Sequence, residues 1–196
     1  MEELVIASNN KGKIREITQM IDNISLLSLR DIGFTDDIPE PYHTFEENAL
    51  TKANTVYGFC GKHTFADDSG ICANALNGAP GVFSARYSGD DATDESNLQK
   101  LVSELKDHTD KSGYYKAVIC LIWNGEPYFF EGICEGQLLS EPRGEGGFGY
   151  DPIFVPTGYD KTFAELPAEV KHEVSHRGKA IRKMVAFIKE QLEEEA

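Results

Sequence analysis

The apolar positions of this chain alternate between short continuous runs and stripes of helical period. Leu4-Val5-Ile6-Ala7 is a continuous run, the pattern of a strand buried on both faces. Ile14, Ile17, Met20 and Ile21 then recur at spacings of three and four, so strand, polar loop and helix follow one another. Ile24 to Leu29 reads as a second strand, parallel to the first if a right-handed crossover joins them. A helix begins near Thr44-Phe45-Glu46-Glu47, where Thr44 and Glu47 have the spacing of a capping box. Its buried face takes Ala49, Ala53, Val56, Tyr57 and Cys60, and Lys52 falls on or beside that face. A lysine there is either a ligand or a side chain that snorkels to solvent.

Thr64-Phe65-Ala66 fits the end of a short buried strand, and Leu98, Leu101, Val102 and Leu105 mark a helix over about 92–106. Tyr114 to Trp123 is long, apolar and rich in β-formers. Asn124-Gly125 is a strong hairpin signal, and Glu126 to Leu139 supplies the antiparallel partner. A strand over Pro152 to Val155 and a last helix striped by Ile181, Met184, Val185, Ile188 and Leu192 complete the chain. The expected fold is α/β, a mixed sheet flanked by helices. Without repeat or linker, residues 1–196 read as a single domain in which the two long strands extend into a second lobe.

Composition adds exclusions. With 40% hydrophobic and 27% charged residues the chain is ordinary for a folded soluble protein, and no apolar run approaches the roughly 20 residues of a membrane helix. The acidic start, Met1-Glu2-Glu3, does not read as a secretory signal. A formal net charge of −14 argues against nucleic acid as a partner, although a local group of cations can still take a small anion. Cys60, Cys72, Cys120 and Cys134 are widely spaced, which points to free thiols in a reducing cytoplasm.

Five polar clusters carry candidate chemistry. In Asp67-Asp68-Ser69-Gly70, two adjacent carboxylates precede a glycine suited to a turn, and magnesium is the natural cation for such hard oxygens. An acidic surface turn fits the same residues. Ser8-Asn9-Asn10-Lys11-Gly12-Lys13 precedes a helix start, with Asn9 or Asn10 as N-cap and two lysines beside free N–H donors, an anion site or simply a capped helix. Glu40 is held between Pro39 and Pro41, either as a metal ligand or as part of an exposed acidic loop. Glycines around Phe148 in 145–151 present an aromatic to something flat. His176 and Arg177 follow the candidate cap Ser175, where the helix dipole prefers acids, and Lys171 lies just upstream. Such positions gather at one crevice in open α/β sheets, and carboxylates, cations and an aromatic together suit a magnesium-bound nucleoside triphosphate.

The chain resembles the inosine triphosphate pyrophosphatases. The matching pieces are Ser8-x-Asn10-x-x-Lys13, Thr44-Phe45-x-Glu47-Asn48-Ala49-x-x-Lys52, Ala66-Asp67-Asp68-Ser69-Gly70, Gly78-Ala79-Pro80-Gly81-x-x-Ser84-Ala85-Arg86-Tyr87, Gly146-Gly147-Phe148-Gly149-Tyr150-Asp151-Pro152 and Ser175-His176-Arg177-Gly178. The resemblance implies an elongated mixed sheet, two lobes around a central cleft, a homodimer, and conversion of ITP, dITP or XTP to nucleoside monophosphate and pyrophosphate. It implies Asp68 as proton acceptor and magnesium ligand and Glu40 as the second metal-binding carboxylate. Ser8, Asn9, Asn10, Lys11, Gly12, Lys13, Lys52, Ser69 and Lys171 fall to nucleotide contacts, and Phe148, Gly149, Tyr150, Asp151, His176 and Arg177 to the purine pocket. Asp67 is left to brace the turn or to meet the metal through water. A catalytically silent purine-nucleotide sensor is the alternative, but a sensor has no need for a base. Glycoside hydrolysis by paired carboxylates leaves the basic loop before Ile14 without a purpose.

Overall fold

The computed structural model describes residues 2–196. Six strands form one mixed sheet in the order β2-β1-β3-β4-β5-β6: β1 Glu3–Ile6, β2 Ser25–Leu27, β3 Thr64–Ala73, β4 Ser112–Trp123, β5 Glu126–Leu138 and β6 Phe154–Pro156. β1 pairs parallel with β2 (Leu4 opposite Leu26) and with β3 (Ile6 opposite Phe65), whereas β5 and β6 run antiparallel. The helices are α1 Lys11–Met20, α2 Phe45–Cys60, α3 Asp94–Leu105, α4 Ala168–Val174 and α5 His176–Glu195. Asn124 and Gly125 both take positive φ, 50° and 82°, as the tight hairpin between β4 and β5 requires.

The chain divides into two compact units. The first contains the residues up to Asp68, Ala117–Gly132 and Arg177–Ala196. Its core joins Leu4, Ile6, Phe65, Ile119, Leu121 and Trp123 from the strands to Ile17 of α1, to Ile21 just after that helix, and to Ile181, Met184 and Ile188 of α5. Val5 and Ala7 are buried as well, so β1 is covered on both faces, as its continuous apolar run requires. The second unit contains Ser69–Lys116 and Ile133–His176, and its core is built from Ile71, Leu98, Leu101, Leu105, Tyr115, Leu138, Ile153, Phe154 and Phe163.

Three expectations change. The Asp67–Gly70 stretch is not a turn, because β3 runs through it unbroken to Ala73. Gly70 serves close approach instead: a Cβ there would stand 2.6 Å from Ser84 Oγ and meet the Gly81 carbonyl. Ser84 Oγ accepts the Ile71 N–H at 3.0 Å and donates to Gly81 O at 2.7 Å, which locks this segment against the strand. The strand expected over Pro152 to Val155 starts later: Asp151–Ile153 is a 3-10 turn, and only Phe154–Pro156 pairs with β5. Lys171 lies on α4, a helix absent from the sequence reading, rather than in the approach to α5. Cys60, Cys72, Cys120 and Cys134 are free thiols.

Candidate functional site

The first unit gathers its charged side chains around the middle of β3. Successive residues of a strand face opposite sides, so Asp67 and Asp68 part company. Asp67 shares the face of Phe65, toward α1 and α5. Its Oδ1 lies 2.9 Å from Lys13 Nζ and its Oδ2 3.5 Å from Arg177 Nε. Arg177 Nη1 also donates to Glu16 Oε1 at 2.9 Å, so the basic start of α5 is answered by two acids from other elements. That resolves the misfit with the helix dipole: the cation is there for Asp67 and Glu16, not for its own helix. Lys13 reaches this point because Asn10 caps α1, its Oδ1 accepting the Lys13 N–H at 3.1 Å, while Ser8 Oγ accepts the Asn10 N–H at 3.1 Å. Ser8, Gly12 and Lys13 are half-buried, and Asn9, Asn10 and Lys11 are exposed.

Asp68 faces the other way, toward α2. Lys52, on that helix and only 7% exposed, donates to the Asp67 carbonyl at 2.7 Å, lies 2.9 Å from Glu40 Oε1 and stands 3.9 Å from Asp68 Oδ1. Lys52 therefore points inward to these acceptors and does not snorkel to solvent. Asn48, one turn earlier and fully buried, accepts the Tyr42 N–H at 3.1 Å and donates to the Tyr42 carbonyl at 3.2 Å. With Pro39 and Pro41 on either side of Glu40, this two-point grip fixes the backbone that carries the carboxylate. The Thr44 hydroxyl accepts the Glu47 N–H at 3.2 Å and donates to Glu47 Oε1 at 2.9 Å, so Thr44 caps α2 as expected but Glu47 answers its hydroxyl, not its backbone N–H as a capping box requires.

The two carboxyls are driven apart electrostatically. Burial by itself would raise the pKa of Asp67, but Lys13 and Arg177 outweigh it and hold the group well below the usual carboxylate range. For Asp68, burial dominates and pushes the pKa up to about 6, with Lys52 opposing and Glu40 adding to the rise. Burial lowers the pKa of Lys13 despite Asp67. Arg177 goes up, because Asp67 and Glu16 exceed the effect of its burial. Asp68 Oδ2 is buried and accepts no hydrogen bond among the described residues. An unused acceptor on a carboxyl that titrates near neutrality is what a general base or a metal ligand offers.

The donor set also fits magnesium. Among the described residues no group of three or more His, Cys, Asp and Glu is placed to hold a metal. Magnesium, however, is usually held by one or two carboxylates together with substrate phosphates and water. Glu40 and Asp68, gathered about one ammonium, supply two such carboxylates.

The second unit builds its own cluster on Asp151, which is 3% exposed. Lys171 Nζ lies 2.6 Å from Asp151 Oδ2, the Tyr115 hydroxyl donates to Oδ1 at 3.0 Å, and the Phe148 N–H donates to Oδ2 at 3.0 Å. Lys171 also stands 5.1 Å from the centre of the Phe148 ring. Gly147 has φ +68°, and a Cβ on it would press into the Asp151 carboxylate, so the glycine lets the loop fold over the acid. Gly149 donates its N–H to Asp94 Oδ2 at 3.0 Å, and the Tyr150 hydroxyl donates to Ser84 O at 2.6 Å. His176 stacks on Tyr115, centroids 4.4 Å apart and rings within 6° of parallel. Ser69 is half-buried on β3.

Lys13, Glu40, Lys52, Asp67, Asp68 and Arg177 are thus assembled in one unit, and Phe148, Asp151, Lys171 and His176 in the other. The sequence reading assigned no role to Glu16, Asn48 or Tyr115. Glu16 adjoins the apolar stripe of α1, and Asn48 shares a helical face with Ala49 and Lys52; a polar residue on a buried face is the one signal each left.

A mixed α/β sheet with three carboxylates, Glu40, Asp67 and Asp68, gathered among Lys13, Lys52 and Arg177 defines an α/β protein with a concentrated, largely buried charge cluster. The chain belongs to the Ham1 family, whose model matches residues 4–187. It is 50% identical over 188 residues to a dITP/XTP pyrophosphatase of Flavobacterium psychrophilum, covering 95% of this chain and 99% of that protein. Among solved structures it superposes on a HAM1 protein from Coxiella burnetii with a TM-score of 0.88 at 39% identity, covering 97% of this chain and 100% of that one. The Ham1 protein of Staphylococcus aureus gives 0.87 at 39% identity over the same shares. No helix among the described residues is long and apolar enough to cross a membrane.

Proposed function

We propose that this chain hydrolyses deaminated purine nucleoside triphosphates, ITP, dITP and XTP, to the nucleoside monophosphate and pyrophosphate, and so removes them from the nucleotide pool. Relatives named dITP/XTP pyrophosphatase, 42 to 50% identical over nearly the whole chain, support the reaction. The observation that carries the reading is Asp68, a buried carboxyl with an unused oxygen and a pKa of about 6 beside Glu40 and Lys52. A sensor that only bound nucleotide would gain nothing from such a group.

Glu40 and Asp68 would hold magnesium, which when bound neutralises charge on the phosphate oxygens and so eases attack on the anhydride. Asp68 orients water and accepts its proton through the oxygen that has no other partner. Lys13 and Lys52 supply positive charge for phosphate, with Ser8, Asn9, Asn10, Lys11, Gly12 and Ser69 as further nucleotide contacts. Phe148, Gly149, Tyr150, Asp151, Lys171, His176 and Arg177 are assigned to nucleotide and purine recognition. Donors at O6 would favour a 6-oxo purine, since an adenine amino group there would leave donors facing donors.

The reading includes one pyrophosphatase domain with two lobes, a second copy of the chain in a homodimer, and a cytoplasmic setting suited to four free thiols. Incubating the protein with ITP, XTP, GTP or ATP plus magnesium and measuring pyrophosphate tests it. Rapid pyrophosphate release from ITP and XTP, with little from ATP, is expected. Release of single phosphate, or equal turnover of ATP, would contradict it.

A further inference from the structure

Lys52 stands where a metal ion would compete for ligands. Its ammonium contacts Glu40 Oε1 at 2.9 Å and the Asp67 carbonyl at 2.7 Å, and Asp68 Oδ1 is 3.9 Å away. The other two cations of the cluster are directed elsewhere: Lys13 and Arg177 face the two oxygens of Asp67, and Arg177 also binds Glu16. Lys52 thus lies within 4 Å of both Glu40 and Asp68. The ammonium occupies Glu40 Oε1 and repels a divalent ion brought to the same carboxylates.

The backbone beside Glu40 is arranged for a local exchange. Asn48 and Lys52 lie one turn apart on α2 and reach the same segment. Asn48 holds the Tyr42 N–H and carbonyl through neutral hydrogen bonds that a metal does not disturb. Lys52 holds the Glu40 carboxylate through charge, which a divalent ion does disturb. The Asn48 contacts hold the segment independently of the charge pair that a divalent ion would compete with.

We propose that the Lys52 ammonium is a built-in competitor for the metal position, and that a divalent cation binds by taking Glu40 and Asp68 from it. The inference rests on the assignment of Glu40 and Asp68 as metal ligands. By this account Lys52 weakens the affinity of the nucleotide-free protein for divalent ions, so that the metal enters effectively only with a polyphosphate that contributes oxygens of its own.

The test is titration of Mn2+ into nucleotide-free wild type, Lys52→Met and Lys52→Gln by calorimetry, with circular dichroism to verify folding. Both variants should bind Mn2+ at least about tenfold more tightly than wild type, since a unit positive charge about 4 Å from the metal position has been removed. Unchanged or weaker binding would overturn the proposal, as would a lack of binding in all three proteins. Should the variants fail to fold, wild type with 15N-labelled lysine decides the matter. Magnesium should shift or broaden the Lys52 ammonium signal beyond those of the other lysines, and an unmoved signal at saturating metal would overturn the idea. Pyrophosphate release from ITP, assayed on wild type in parallel, reports the proposed activity separately from the competition.

Discussion

Asp67 and Asp68 are neighbours on β3 whose carboxyls are driven in opposite directions, the first down by Lys13 and Arg177 and the second up by burial. Two adjacent acids coexist in a buried strand because Lys13 and Arg177 offset the charge of the first, while burial eases protonation of the second. The first acid pairs with the cations around it, and its neighbour keeps Oδ2 without a hydrogen-bond partner among the described residues.

Replacing Asp68 by Asn should lower pyrophosphate release from ITP by about 10²–10⁴-fold, the usual contribution of a general base. The shape of the site is preserved, so nucleotide binding should persist. Steady-state assay combined with calorimetric binding of ITP measures both, and an unaffected rate would remove Asp68 from its assigned role.

Asp68 also predicts a pH dependence of stability in protein treated with chelator. Its folded pKa, about 6, exceeds the ordinary value of 3.8, so the folded state binds the proton more tightly. The resulting stabilisation is complete below the unfolded value and disappears as pH rises through the folded one. At pH 8 the ionised buried group then costs about 3 kcal/mol, of which roughly 1 kcal/mol develops above pH 5. Urea unfolding should therefore find Asp68→Asn increasingly favoured over wild type between pH 5 and pH 8, and a constant difference would contradict the assignment.

Arg177 bridges Glu16 and Asp67 in a setting where all three are buried. Arg177→Met leaves two acids without that cation and should cost about 3–5 kcal/mol in urea unfolding. Adding Glu16→Gln to the variant should recover part of the loss, because one uncompensated charge is then gone. If the double variant is no more stable than the single one, the pair is not coupled as described.

Gly70→Ala should destabilise the fold by about 1–3 kcal/mol, since its Cβ presses on the Gly81 carbonyl and on Ser84 Oγ. Ser84→Ala in the same chain should not restore stability, because the backbone carbonyl remains and the hydroxyl bonds to Ile71 and Gly81 are lost. Thermal unfolding distinguishes the two.

Much of this protein is carried by local sequence. The apolar run at Leu4, the stripe from Ile14 to Ile21, the Asn10 and Thr44 caps and the Asn124-Gly125 turn each depend on neighbours a few residues away, and each forms where its pattern predicts. The opposed directions of Asp67 and Asp68 follow from strand periodicity alone. Tertiary structure decided the rest. Whether Gly70 ends a strand or continues it depends on the approach of 81–84, which no local pattern encodes. The partners of Arg177 come from α1 and β3, and Glu16 is 161 residues away in sequence. The same holds for Lys52, whose place on α2 was evident but whose hold on Glu40 and the Asp67 carbonyl was not. Periodicity states which side of an element a residue occupies; the partner a charge finds there, and so its pKa, is set by burial and by contacts between elements distant along the chain.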